Sequence, residues 1–392
     1  MKNVFKKILL VILCMILFAE LMFIVVMQVR SDVDEELLAS LEQNAAQAGP
    51  EQNTEAPATE QPTEPPTEPP TEAPTEPPRT NYLFSFAGDC TLGSNRDKWN
   101  ASYSFIQTIG EDYDYPFANV REYFEQDDFT LVNLEVVLAD EGNSTGKLFT
   151  FRGPTAYSQI LTGSSVEGVT IANNHARDYG TAGYDSTKLT LDNAGVAYVE
   201  VYSSTLITLE DGLVVGLYAI DGSVNGIDKD KAVEGVKQLK ADGAELVIVA
   251  AHWGNEGKYR PNSSQQDIGK ALIDAGANII WGHHPHVLQK IEEYNGGVIY
   301  YSLGNFSFGG NRSPSDKDSA IVQQEIIRDP DGTVSLGQMT LIPCSISSVK
   351  DYNNYQPTPC EEGSEMYARI MSKLDGSFNG ADLVVDYDKL KS

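Results

Sequence analysis

Apolar and polar positions divide the chain into three regimes. From Ile8 to Met27 the sequence is apolar apart from Glu20. As a helix, such a run is long enough to cross a hydrocarbon core of about 30 Å. From Ser31 to Thr80 no hydrophobic periodicity survives, and proline, threonine and glutamate recur instead. From Asn81 onward, short apolar runs bounded by polar turns alternate with helix-period stretches. Tyr82–Ala87, Phe129–Leu134, Val166–Ala172, Leu246–Ala251, Ile279–Trp281 and Val298–Leu303 read as buried strands. Helices are expected over Ala118–Glu125, Gly183–Asn193, Lys231–Ala241 and Gln265–Ala275. Leu206–Ile220, broken at Asp211-Gly212, and Ile321–Leu341, broken at Asp331-Gly332, read as hairpins. Strands alternating with helices, together with antiparallel hairpins, predict an α/β domain of two packed sheets flanked by helices.

Charge refines this picture. The 392 residues carry 56 acidic against 28 basic side chains, a formal net charge of -28. A chain this acidic repels phosphate backbones, which excludes DNA and RNA as partners. Lysines precede the apolar run, and Asp32, Asp34, Glu35 and Glu36 follow it. That asymmetry predicts a cytoplasmic N-terminus, with everything after residue 30 extracytoplasmic. The run is longer than the core of a cleaved signal peptide and no small-x-small cleavage site follows it closely, so a retained single-pass cell-membrane anchor is expected. Glu20 within it implies either a partner helix or a neutral, protonated carboxyl.

Residues 31–80 hold more than half of the 19 prolines, and Arg79 is their one basic residue. Such a segment cannot bury enough apolar surface to fold and stays extended. Residues 47–80 at about 3.1 Å each would reach roughly 100 Å as polyproline. The expected organisation is a cytoplasmic tip and anchor over 1–30, an acidic stalk over 31–80, a globular domain over 81–343 and a C-terminal extension over 344–392. Cys344 and Cys360 are candidates for a disulfide outside the membrane, whereas Cys90 reads as a free packing residue.

The polar residues of interest sit where expected strands end. They are Gly88-Asp89-Cys90-Thr91, Asn133-Leu134-Glu135, Asn173-Asn174-His175 with Asp178-Tyr179-Gly180, His252-Trp253-Gly254, and His283-His284-Pro285-His286. These motifs use all five histidines of the chain. In α/β sheets the carboxyl ends of the strands form the ligand crevice, so the five motifs are expected to converge. Carboxylate, amide oxygen and imidazole together suit a divalent metal such as Mn, Zn, Fe or Mg. His284 and His286, two apart, would turn both rings to one side in extended backbone.

The order Gly-Asp, Asn-Leu-Glu, Ala-Asn-Asn-His, His-Trp-Gly, Gly-His-His-Pro-His and Tyr-Ser-Leu-Gly-Asn-Phe (Tyr301 to Phe306) resembles the CapA family. This is the capsule-synthesis and poly-γ-glutamate-associated group within the calcineurin-like metallophosphoesterase superfamily. The resemblance, over about residues 82–310, implies a four-layer α/β/β/α sandwich of metallophosphoesterase type. It implies a centre for one or two metal ions held by Asp89, Glu135, Asn174, His252, His284 and His286, with His283 as an additional candidate. It implies that His175 protonates a leaving group while Asp178 orients its ring. Asn133, Arg152 and Asn305 are expected to contact substrate, Arg152 by gripping an anion. One departure stands out: the phosphoesterase Asp-x-His is Asp89-Cys90-Thr91 here, one imidazole short.

Three functions follow as expectations. The first is a metal-dependent, hydrolase-like protein acting in capsular polymer synthesis, with poly-γ-glutamate or its precursor as partner and a synthase complex in the membrane. The second is a phosphoesterase acting on cell-wall or nucleotide phosphates. The third is a non-catalytic polymer-binding or export component.

Overall fold

The computed structural model describes residues 80–385. The expected anchor, and the stalk as far as Arg79, lie outside the described residues, and no helix among those described is long and apolar enough to cross a membrane.

Two sheets form the centre of the fold. In the larger, strands Thr80–Thr91, Phe129–Leu134, Gly168–Thr170 and Ala197–Val199 run parallel, in that order. On the other side of Thr80–Thr91, the antiparallel hairpin Asp318–Arg328 and Val334–Ser345 extends the sheet, followed by Thr358–Pro359. In the smaller sheet, parallel strands Val214–Asp221, Leu246–His252, Ile279–His283 and Gly297–Tyr300 lie between antiparallel edge strands Ser204–Thr208 and Ile291–Tyr294.

The layering follows from alternation along strands that are buried on both faces. Leu246, Ile248 and Ala250 point between the sheets, where they meet Phe84, Phe86 and Leu131. Val247, Val249 and Ala251 point outward onto Val236 and Leu239 of helix Lys229–Ala241, and onto Ile268 and Leu272 of helix Ser263–Asp274. The outer face of the larger sheet is covered likewise by Phe105, Phe124, Ile160, Tyr184 and Leu191 from four helices. The result is the expected four-layer α/β/β/α order.

Differences from the sequence reading have local causes. Helix Lys229–Ala241 starts earlier than its apolar period because Asp228 caps it, accepting from Lys231 N at 3.1 Å. The expected helix Ala118–Glu125 shrinks to Arg121–Glu125 after a separate turn Tyr115–Phe117 that contains Pro116. The disulfide expectation is corrected: Cys344 and Cys360 are free. In the ladder Cys344 stands opposite Pro359, while Cys360 N bonds Pro343 O. With a side-chain period of two, the thiols face opposite sides of the sheet, Cys344 beneath the outer helices and Cys360 toward helix Glu365–Leu374.

The segment after residue 343 is built into this sandwich. Ile370 and Leu374 pack on Leu288 and Ala320. Lys373, 3% exposed, places its ammonium 2.7 Å from Asp318 and also meets Asp316.

Candidate metal centre

The parallel strands of both sheets end at one place, and the polar motifs end there with them. Asp89 lies in register with Asn133 on one side and with Asn305 on the other. His252 lies in register with His283. The first strand bulges just before Asp89, and there Gly88 meets the Leu303–Asn305 loop so closely that a Cβ would sit 2.1 Å from Gly304 O. Only glycine lets the two backbones cross, and Asp89 N bonds the same carbonyl at 2.8 Å.

Asp89 and Glu135 are fully buried. Asp89 Oδ1 accepts from Asn133 Nδ2 at 2.8 Å. His283 Nδ1 lies 3.1 Å from Oδ1 and His286 Nδ1 3.1 Å from Oδ2, close but off the line a hydrogen bond needs. Glu135 has no hydrogen-bond donor on either oxygen; His252 Nε2 is 3.6 Å away and His286 Nδ1 3.9 Å. His252 Nε2 contacts Asn174 Oδ1 at 2.7 Å, and its ring lies 4.8 Å from that of His284.

Charge is distributed accordingly. Burial opposes ionisation of Asp89, yet contact with His283 and His286 holds it well below the usual carboxylate range. Burial drives Glu135 well above that range. Burial also disfavours a charged His286, but Glu135 and Asp89 outweigh it and push the ring up to about 10. His252 is lowered by burial and by His284, and His284 falls to about 4 through burial and His286. Glu135, with two donorless oxygens, faces His252, which prefers neutrality, and His286, whose one positive charge is shared with Asp89, so the pair of buried carboxylates is short of positive charge.

The donor set therefore fits a divalent cation. Oxygen and nitrogen atoms of Asp89, Glu135 and His286 lie within 4.8 Å of one another, and so do those of Glu256, His284 and His286. His252 and Asn174 stand against the same groups. His283 is brought to Asp89 rather than into either triplet.

The extended backbone expected through His284 and His286 is corrected. Both residues have positive φ, 93° and 56°, and their ring centroids are 5.9 Å apart. Non-glycine residues in that region cost about 1–3 kcal/mol each and cluster at functional sites.

Beside the cluster, His175 Nδ1 lies 2.6 Å from Asp178 Oδ2. Asp178 is fully buried and also accepts from Phe151 N at 2.8 Å and Lys147 Nζ at 3.2 Å. His175 N bonds Asn173 Oδ1, and Asn173 Nδ2 bonds Asn133 Oδ1 at 3.0 Å, which links this pair to Asp89.

The residues expected at substrate are placed differently. Asn133 is buried and engaged by Asp89 and Asn173. Asn305 is buried, with its Oδ1 3.0 Å from His286 Nδ1 and its Nδ2 donating to His286 O. Both positions orient cluster residues. Arg152 is not brought to the histidines: it lies against Trp99 and Tyr179, 4.5 and 5.2 Å from their ring centroids, in a separate cavity of about 380 Å³. Sequence reading missed Glu256, Asn173 and Lys147. Asn173 adjoins Asn174 within a motif already singled out, and Glu256 follows His252 by four residues; Lys147 carried no signal.

Fold and cluster together define a four-layer α/β protein with a candidate metal centre where its two sheets meet. The family model for "Bacterial capsule synthesis protein PGA_cap" matches residues 83–206 and 208–310, and the chain belongs to that family. Capsule biosynthesis protein CapA of Bacillus anthracis is 33% identical over 301 residues, 68% of this chain and 72% of that protein. PGA biosynthesis protein CapA of Bacillus subtilis is 31% identical over 341 residues, 79% of this chain and 84% of that protein. Among solved structures, Haemophilus influenzae NAD nucleotidase aligns with a TM-score of 0.37 and 12% identity, covering 80% of this chain and 59% of that one.

Proposed function

We propose that this protein is a membrane-anchored, extracytoplasmic member of the capsule synthesis family that acts on an anionic capsular polymer, poly-γ-glutamate or its precursor, through a metal-dependent hydrolytic centre. The observation that carries the reading is Glu135: a fully buried carboxylate with no hydrogen-bond donor on either oxygen, set among imidazoles at the strand ends. Asp89, Glu135, Asn174, His252, His284 and His286 would hold the ion, with Glu256 as a further carboxylate. A divalent metal bound there supplies Lewis acidity toward a phosphoryl or amide oxygen.

The rest belongs to the chain. Asp178 accepts a hydrogen bond from His175 Nδ1–H, which fixes the ring and favours the imidazolium, whose Nε2–H then delivers a proton to the departing group. Lys147 and Phe151 N keep Asp178 in place. Asn133 and Asn305 keep Asp89 and His286 in place. The apolar run Ile8–Met27 would hold the chain in the membrane beside partner helices, and the proline-rich stalk would carry the domain away from it.

The test is elemental analysis of the purified full chain, followed by assays on poly-γ-glutamate and on a generic phosphodiester. The reading expects one or two divalent metals and chain-length change of the polymer. Cleavage of the phosphodiester alone would move the assignment to a phosphoesterase. No transition metal, and no thermal stabilisation by Mn²⁺ or Zn²⁺, would leave a polymer-binding component without catalysis.

A further inference from the structure

A cavity of about 590 Å³ opens beside the candidate metal centre, with Asn174 and His284 in one wall and Glu256 and Lys258 in another. Ser223 and Val224 line it too, as does the chain's own segment Leu383–Val385. This segment follows helix Glu365–Leu374 and lies along the loop after His252. Phe378 packs on Tyr259 with ring centroids 4.8 Å apart, and its carbonyl accepts from Arg260 Nη2 at 3.1 Å. Asp382 Oδ1 accepts from Tyr259 N at 3.1 Å. The same carboxylate lies 3.4 Å from Lys258 Nζ and 3.9 Å from Arg260 Nη1. Leu383 N donates to Gly257 O at 2.9 Å. Gly257 has φ +72°, and a Cβ there would sit 2.9 Å from Leu383 Cβ and 3.2 Å from its carbonyl oxygen, so the loop is shaped to admit a main chain.

We propose that the strip Gly257–Arg260 at the edge of this cavity is a binding site for an extended, carboxylate-bearing amide polymer, and that residues 381–385 occupy that strip in cis as an internal competitor. The identity of the ligand rests on the capsular-polymer reading above. Each contact has the chemistry such a polymer offers: Gly257 O takes an amide N–H, Tyr259 N donates to a carboxylate, and Lys258 and Arg260 neutralise it. Glu256, the acid in the wall, is turned to His284 and His286 rather than to Asp382.

The segment is held weakly enough to leave. Val384 is 91% exposed, and both ion pairs are surface pairs, each worth about 0–1 kcal/mol. A polymer that repeats the carboxylate rebinds through many equivalent units and displaces a single Asp382.

The experiment compares the full chain in detergent with the same chain ended after Gly380, using a fluorescein-labelled γ-linked glutamate decamer and fluorescence anisotropy. If the segment is seated nine-tenths of the time, the shortened chain binds the decamer about 10-fold more tightly. A synthetic peptide of residues 381–385 should bind the shortened chain and be displaced by the glutamate decamer but not by a glutamine decamer. K258A/R260A should remove both effects. Should the shortened chain melt early, Asp382→Lys in the full chain repels the same two residues and must give the same gain. Equal decamer binding by both chains, a peptide that does not bind, or a peptide that glutamate does not displace overturns the proposal. Metal content and polymer turnover, measured on the same samples, report separately on the functional reading. Their loss with competition intact counts against the catalytic centre and not against the groove.

Discussion

Glu135, with no donor on either oxygen, and Asp89, with one on Oδ1 alone, set the energetics of the centre, because a buried carboxylate oxygen without a donor needs a cation or a proton. Removing an imidazole that faces them should therefore appear first in metal content. His252→Ala and His286→Ala are expected to lower bound metal several-fold by elemental analysis. His175→Ala should leave metal content nearly unchanged and lower kcat by about 10²–10⁴-fold, since its ring is committed to Asp178 and not to the cluster. Metal loss in the His175 variant would instead make that ring part of the ion's support. Most of this centre was legible in the chain, because strand ends concentrate polar chemistry and every histidine fell at one. Glu256 was not, since a lone glutamate in a polar loop has no period to mark it. Nor were the positive φ values of His284 and His286, which come from a loop whose carbonyls at His283 and Pro285 bond Trp253 N and Gly257 N.

Gly88 lets the first strand touch the Leu303–Asn305 loop, and a methyl group there has no room. Gly88→Ala should cost about 1–3 kcal/mol or more by forcing the backbones apart. A melting point several degrees lower, with reduced metal binding, is the expected result; an unchanged melt would show that the loops can part freely. In the turn before strand Phe129–Leu134, Asp127 is raised to about 7, chiefly by burial and further by Glu167, against hydrogen bonds from Ser85 and Thr130. A carboxyl raised in the folded state binds a proton that the unfolded chain, near 3.9, has already lost. Its contribution to stability is present below about pH 4 and is lost as pH rises through 7. Asp127→Asn should therefore melt higher than the parent at pH 8, with the gap closing toward pH 4; a pH-independent gap would sink this account. The hairpins and two-sided buried strands could be read from sequence because their apolar runs are long and their turns carry Asp-Gly. Short helices such as Phe105–Ile109 could not, being less than two turns long and fixed by tertiary packing of Phe105 and Ile109.

The sandwich is closed by residues far apart in the chain, and the segment expected as an extension is part of that closure. Lys373 is buried against Asp316 and Asp318, so a chain ended after Pro343 leaves two carboxylates without their cation. Breaking such a buried pair costs about 3–5 kcal/mol. The shortened chain is expected to lose its cooperative melt by circular dichroism, whereas residues 81–392 should fold alone. A well-folded chain ending at Pro343 would reinstate the extension as separable. Neither the helix Glu365–Leu374 nor the buried role of a lysine in it was read from the sequence.

The strand that opens the domain also meets its neighbour late. Thr80–Thr91 is completed on one side only by Asp318–Arg328, and Asn81 bonds Glu325 across 244 residues of sequence. At synthesis rates of about 5–20 residues per second, roughly 12–50 s pass between the emergence of those two partners. Through that interval Tyr82–Ala87, an apolar edge with unpaired amides, is open to any passing strand. Folding of this strand is thus timed by translation, since its antiparallel neighbour arrives only with the last hairpin.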